Sequence, residues 1–244
     1  TQNIILNTTN GGNSWNTQVS GVSGIMNSIQ FIDGLTGWAV GTTGNAVKTT
    51  NGGTNWIIMD PMTSSNLSSV FFINSQTGWT VNSVGSLIRT TNGGINWAIN
   101  YYAAINKQLN DVFFSDFQTG FIVGNKGLII KSTNSGINWN TLSTGVNSLI
   151  NSISFLNTQT GFAAGGSGTI LRTTNGGDMW LSQTIGTLDI YSICITDLQT
   201  GWCCGANKTI YKTTNAGENW NLITNTIPPA NYNTLHFIDS QTGW

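Results

Sequence analysis

Acid–base and nucleophilic chemistry need titratable side chains held close together. This sequence has few: nine carboxylates, eight basic groups, one histidine and three cysteines in 244 residues. Hydrolysis of a glycoside calls on two carboxyl groups about 5–9.5 Å apart. Glu218 is the single glutamate, and Asp33, Asp116, Asp197 and Asp239 fall at one recurring place that suits a turn cap. Asp178, like Glu218, lies in a recurring hairpin. Asp60, Asp111 and Asp189 stand outside the pattern. Asp111 and Asp189 are expected near the entry of equivalent strands, so an enzyme using Asp111 with another loop acid is the alternative to a non-catalytic chain.

Nucleophilic catalysis has less to work with. His236 is the one histidine, placed within a strand where the equivalent positions hold Gln30, Phe71, Phe113, Ser154 and Cys194. No Gly-x-Ser-x-Gly elbow is present, and no glycine loop leads into a helix to cradle phosphate. Cys194, Cys203 and Cys204 are odd in number and lack zinc-ligand spacing, so small buried apolar residues are expected, although Cys194 is near enough in sequence to pair with either neighbour. No cofactor and no metal are expected. Lys48, Arg89, Lys131, Arg172 and Lys212 recur at one position. They could form an anion-binding collar. Their periodicity favours a structural role, with aliphatic stems covering the box tryptophans and charges meeting turn aspartates.

Composition narrows the partners. Only 7% of residues are charged, against about 25% in an average soluble domain, and the net charge is −1. A basic tract for nucleic acid is absent. No apolar run approaches the roughly 20 residues that span a bilayer. Solubility must rest on Asn, Thr, Ser and Gly. Such a surface suits an exported or cell-surface bacterial protein, and the chain is expected to be one domain of a larger one.

The elements that position these residues come from a repeat. Thr-Asn-x-Gly-x-x-Trp, or a close variant, ends at Trp15, Trp56, Trp97, Trp139, Trp180 and Trp220, with spacings of 41, 41, 42, 41 and 40. Thr-Gly-Trp or Thr-Gly-Phe ends at Trp38, Trp79, Phe121, Phe162, Trp202 and Trp244 with the same period. Each period holds four strands. Strand A is β-branched and aromatic, as in Ser69-Val70-Phe71-Phe72-Ile73. Strand B begins at Thr-Gly-Trp, strand C is typified by Leu87-Ile88-Arg89-Thr90, and an Asn-Gly-Gly hairpin leads to strand D. Four antiparallel strands in about 40 residues make a propeller blade. The expected fold is all-β: a six-bladed β-propeller over residues 1–244, closed by a blade shared between the N- and C-terminal segments.

The hairpin Thr8-Thr9-Asn10-Gly11-Gly12-Asn13-Ser14-Trp15 resembles the Asp-box, or bacterial neuraminidase repeat. Together with Thr-Gly-Trp it is most similar to the propellers related to photosystem II stability and assembly factors. The box aspartate is Asn in every copy: Asn10, Asn51, Asn92, Asn134, Asn175 and Asn215. Its expected work is to accept backbone N–H groups of the hairpin, which an amide carbonyl does without charge. The box is then a structural clip, and six neutral side chains would hold calcium poorly. Sialidases share the box, and that resemblance implies an arginine triad for the sugar carboxylate. With Arg89 and Arg172 as the only arginines, sialidase activity is excluded. The resemblance also implies a third reading, a photosystem assembly chaperone.

A site on a repeat scaffold should break the repeat. The D-to-A connections and B-to-C turns vary most, and their shared face is the expected ligand face. Tyr101, Tyr102, Lys107 and Asp111 form its richest stretch, joined by Asn125, Lys126, Asn207 and Lys208 on turns and by Tyr191 and Tyr232 as aromatic surface. Tyr with Asn and Lys suits a protein or glycan partner. No loop is long enough to close a lid over a reaction.

Overall fold

Short runs of branched and aromatic residues, each stopped by a Gly- or Asn-rich turn, form 22 antiparallel strands in the computed structural model, which describes residues 4–100, 107–223 and 230–244. The chain divides into two compact units, Thr1–Val112 and Phe113–Trp244.

The first unit opens with β1 (Ile4–Asn7) paired to β2 (Asn16–Val19), the C and D strands of a repeat. A four-stranded meander follows, β3 (Met26–Phe31), β4 (Gly37–Gly41), β5 (Ala46–Thr49) and β6 (Ile57–Met59). The next is β7 (Leu67–Phe72), β8 (Gly78–Asn82), β9 (Leu87–Thr90) and β10 (Ala98–Asn100). The division falls within β11 (Leu109–Phe114), whose sheet continues as β12 (Gly120–Gly124), β13 (Ile129–Ser132) and β14 (Asn140–Leu142). The second unit adds β15 (Ile150–Phe155), β16 (Gly161–Gly165), β17 (Thr169–Thr173) and β18 (Leu181–Thr184). Its last sheet is β19 (Ile190–Ile195), β20 (Gly201–Gly205), β21 (Ile210–Thr213) and β22 (Asn221–Leu222). These are blades of the expected six-bladed β-propeller, strands A to D in order. His236 was expected inside a strand; residues 230–244 instead make a single bridge, Phe237 to Gly243, with the backbones of His236 and Trp244 exchanging hydrogen bonds beside it.

Aromatic packing explains both sequence motifs. In the first unit the Trp38 indole lies on Phe72 of the next blade's strand A, and Phe72 meets the box residue Trp97 edge-on at 5.9 Å. In the second, Phe121 stacks on Phe155 at 4.3 Å, and Trp180 closes the group edge-on. The glycine before each strand-B aromatic has a local cause. Phe72 pairs with Gly78 across the hairpin, and a Cβ on Gly78 would fall 2.5 Å from the phenyl ring. Gly161 under Phe155 repeats the arrangement. The ring covers the glycine, so no side chain fits there.

Strand A is the edge of its sheet, and its outer backbone groups need partners. Side chains of the preceding blade supply them. Ser28 Oγ accepts the Val70 N–H, and Ser152 and Ser192 do the same for Ile193 and Leu235. A bulge at the second residue of strand A turns Asn27 and Asn151 outward, and their amides donate to the carbonyls of Leu67 and Ile190. Gln30 adds a two-way bond to the Phe72 backbone.

Candidate functional site

The box hairpins hold as expected. In each copy the Asn side-chain carbonyl accepts the N–H four residues on, at 2.8–3.0 Å, and the Thr or Ser hydroxyl donates to the same oxygen. With that oxygen committed inside the hairpin, the box is a clip.

The basic column departs in part from the expected arrangement: the Lys212 charge does act on the turn aspartate Asp197, but the rings covered are different ones. Each cation lies over the strand-B aromatic of its own blade: Lys48 over Trp38, Arg89 over Trp79, Lys131 over Phe121, Arg172 over Phe162 and Lys212 over Trp202, at 4.4–6.0 Å. The covered rings are those of Thr-Gly-Trp/Phe, not the box tryptophans, because strands B and C pair directly and place Trp38 opposite Lys48. Lys131 reaches a carboxylate at 2.7 Å, but it is Asp178 of a box hairpin rather than a turn aspartate.

The acids are engaged locally. Asp33, Asp116, Asp197 and Asp239 each accept two backbone N–H groups of their A-to-B turn. These bonds, from Thr36 and Leu35 at Asp33, Gln199 at Asp197 and Gln241 at Asp239, hold the carboxyls below the usual range. At Asp116 burial pushes upward, and the amides of Gln118 and Thr119 outweigh it. A general acid needs the opposite shift. Asp60 caps Met62 in its own loop.

Asp111 and Asp189 turn out to have repeat equivalents. Asp111 occupies the column of Ser28, Ser69, Ser152 and Ser192, and its carboxylate accepts the Ser69 hydroxyl at 2.7 Å and its own strand's Val112 N–H. Asp189 accepts the Ser167 N–H from the preceding blade's B-to-C turn, as Asn66 does for Thr43 and Asn231 for Asn207. These bonds place D-to-A connections and B-to-C turns on one face, as expected. The sequence reading missed Asn66 and Asn231 as equivalents of Asp189; their separations from it, 123 and 42 residues, are close to multiples of the repeat and were the available signal.

The B-to-C turns carry the candidates best. Lys126 (φ +55°) and Gly127 are the left-handed pair of a tight hairpin turn, as are Asn207 (φ +51°) and Lys208 (φ +55°). At the second position the other blades have Gly44, Gly85, Gly127 and Gly168, all with positive φ. Among the described residues Lys208 alone puts a side chain there, and its backbone N–H donates to Ala230. Asn125 opens the Lys126 turn, with its carbonyl accepting from Leu128. Tyr191, half-buried, replaces the bulge asparagine of Asn27 and Asn151. Lys107 is half-buried on its connection.

Tyr232 is half-buried. It sits in the column of Leu67, Leu109, Ile150 and Ile190, all core residues, and its hydroxyl is buried. Its carbonyl accepts from Cys204, one of three free thiols. Tyr101 and Tyr102 lie outside the described residues.

A family model described as photosynthesis system II assembly factor YCF48 matches residues 55–146 and 137–232. No curated protein sequence matches the chain. Among solved structures, one described as YCF48 bound to D1 peptide is 16% identical, with a TM-score of 0.63 over 91% of this chain and 88% of that one. YCF48 from Cyanidioschyzon merolae is 18% identical, with a TM-score of 0.61 over 91% and 92%. A GH74 enzyme from Niastella koreensis is 15% identical, with a TM-score of 0.67 over 81% of this chain and 38% of that one. The structural likenesses are likenesses of fold.

Proposed function

Since the chain belongs to the photosynthesis system II assembly factor YCF48 family, we propose that it is a non-catalytic propeller that captures a segment of another protein on the face bearing its B-to-C turns. The reading takes residues 1–244 as one propeller domain. The observation that carries it is the Asn207-Lys208 turn. A lysine is held at φ +55° where four other blades use glycine. A side chain kept in a conformation that costs about 1–3 kcal/mol is accounted for if that side chain has work on the surface.

Lys126 and Lys208 present two ammonium groups within the second unit, and the exposed Asn207 adds amide donors and an acceptor. Asp189 lies on the same face with a carboxylate oxygen tied to Ser167. The set suits a polypeptide carrying acidic or carbonyl acceptors, with Tyr191 as a half-buried aromatic contact. A family member solved with a peptide bound supports a peptide over a glycan. The local engagement of Asp33, Asp60, Asp111, Asp116, Asp189, Asp197 and Asp239 in turn, cap and seam bonds supports binding over hydrolysis.

The test is selection of a displayed random peptide library on the immobilised protein. Enriched peptides should lose at least tenfold in affinity against the double variant Lys126→Ala, Lys208→Gly. They should keep it against Met179→Ala, which alters an exposed box-hairpin residue. Failure to enrich any peptide, or peptides indifferent to both lysines, would overturn the reading.

A further inference from the structure

Away from the B-to-C turns, the box hairpin of the β9–β10 pair encloses a crevice of about 310 Å³ lined by Arg89, Thr91, Asn92, Asn96, Trp97 and Ala98. That volume lies at the lower end of small-ligand sites. All six residues lie in the first unit. The space has a sequence cause. Ala98 occupies the position that other blades fill with Ile57, Asn140, Leu181 and Asn221. Truncation to a methyl beside the box tryptophan leaves room that a longer side chain would take.

The polar lining is one-sided. The Arg89 guanidinium lies over the Trp79 face, and its Nε is buried with no hydrogen-bond acceptor among the described residues. Among the equivalent cations, Lys131 is bonded to Asp178 and Lys48 to the Gly93 carbonyl, whereas the Arg172 Nε is buried without an acceptor among the described residues, as in Arg89. Trp97 is 5% exposed, and its indole N–H is likewise buried without an acceptor. Among the other box tryptophans, the Trp139 indole donates to Gly136, whereas the N–H groups of Trp180 and Trp220 are also buried without an acceptor among the described residues. Asn92 has its carbonyl oxygen committed to Thr90 and Asn96. Arg89 is the one charged residue of the lining, and no carboxylate is among the six. A guanidinium stacked on an aromatic face still offers its edge, the geometry that a planar carboxylate accepts in fork fashion.

We propose that this crevice is a carboxylate-binding site, with Arg89 as the fork, Trp97 as wall, and Asn92 and Asn96 as neutral donors. The ligand is a small organic acid whose carboxylate is borne on a compact polar body: an acidic sugar or an acidic amino-acid residue. It is distinct from the B-to-C turn face and stands whether or not that face binds a peptide.

The experiment follows the Trp97 indole N–H by NMR in the intact chain during titration with D-glucuronate and with N-acetyl-L-glutamate. D-Glucose and N-acetyl-L-glutamine serve as neutral counterparts. At least one acid should give a saturable shift, at least tenfold tighter than its neutral counterpart, and the arm that does so identifies the source. Ala98→Leu fills the crevice from an exposed position and should abolish the shift with the circular dichroism spectrum unchanged. Arg89→Gln should weaken binding at least tenfold, whereas Arg172→Gln should not. No saturable shift with either acid, equal binding of a neutral counterpart, or binding that survives Ala98→Leu would overturn the site. If Arg89→Gln fails to fold, the Ala98→Leu result decides.

Discussion

The Trp38 indole lies flat on the Phe72 ring, with 3.6 Å between centroids and 7° between planes. Lys48 covers the same indole, so a cation from strand C, an aromatic from strand B and a phenyl from the next blade form one stack. This is where the two sequence motifs meet. Thr-Gly-Trp supplies the middle ring, and the box tryptophan Trp97 closes it edge-on through Phe72.

Phe72→Ala should destabilise the fold by about 3–5 kcal/mol, the usual cost of removing a buried aromatic. Phe31 is its equivalent in the preceding blade but is 40% exposed, so Phe31→Ala should cost clearly less. Urea denaturation of both variants checks the contrast, and equal losses would remove the stack from the account.

Asn134→Ala should cost about 1 kcal/mol, because the Asn138 N–H and the Ser132 hydroxyl both lose their acceptor. Asn134→Asp keeps the acceptor and should stay within about 0.5 kcal/mol of the parent. The same denaturation midpoints measure it. A large loss in the aspartate variant would mean that the amide N–H groups matter as well.

Asp33, Asp116, Asp197 and Asp239 have folded-state pKa values below the ordinary aspartate value. Their stabilisation is therefore complete above the unfolded-state pKa, about 4. It fades as pH falls through the lower folded-state values. The urea midpoint should be flat above about pH 5 and drop below about pH 4. The triple variant Asp33→Asn, Asp116→Asn, Asp197→Asn should show a shallower acid limb.

Burial pushes the thiols of Cys203 and Cys204 up, Cys204 to about 12, and raises the partly buried Cys194 as well. Native protein at pH 8 should resist iodoacetamide at Cys203 and Cys204, and all three should alkylate in denaturant. Mass spectrometry of the alkylated chain reads this directly. Rapid native labelling of Cys203 would contradict its burial.

Lys208→Gly relieves a left-handed lysine and should raise stability by about 1 kcal/mol. Under the proposed function it should also weaken partner binding. Thermal melts and peptide titrations on the same variant test the pairing. A variant that loses stability would mean that Lys208 contributes more to the turn than its backbone costs.

Local chemistry alone made most of the fold legible. Trp15 to Trp220 mark the hairpins by their period, and an Asn-Gly turn encodes its own conformation through φ > 0 and a side-chain acceptor within four residues. The box clip and the B-to-C turn positions of Lys126, Asn207 and Lys208 needed nothing beyond that range. Other features depended on which blade lies against which. Ser28 becomes the acceptor for Val70 only because strand A has an open edge facing it. Asp111 joins the same column as a seam residue, and the Tyr232 hydroxyl is buried although its ring stays half-exposed. The crevice beside Trp97 likewise depends on packing, which brings Arg89 of one strand together with Ala98 of the next. A linear sequence states each residue's volume and valence, but whether those are filled depends on neighbours that only the packed sheets bring near.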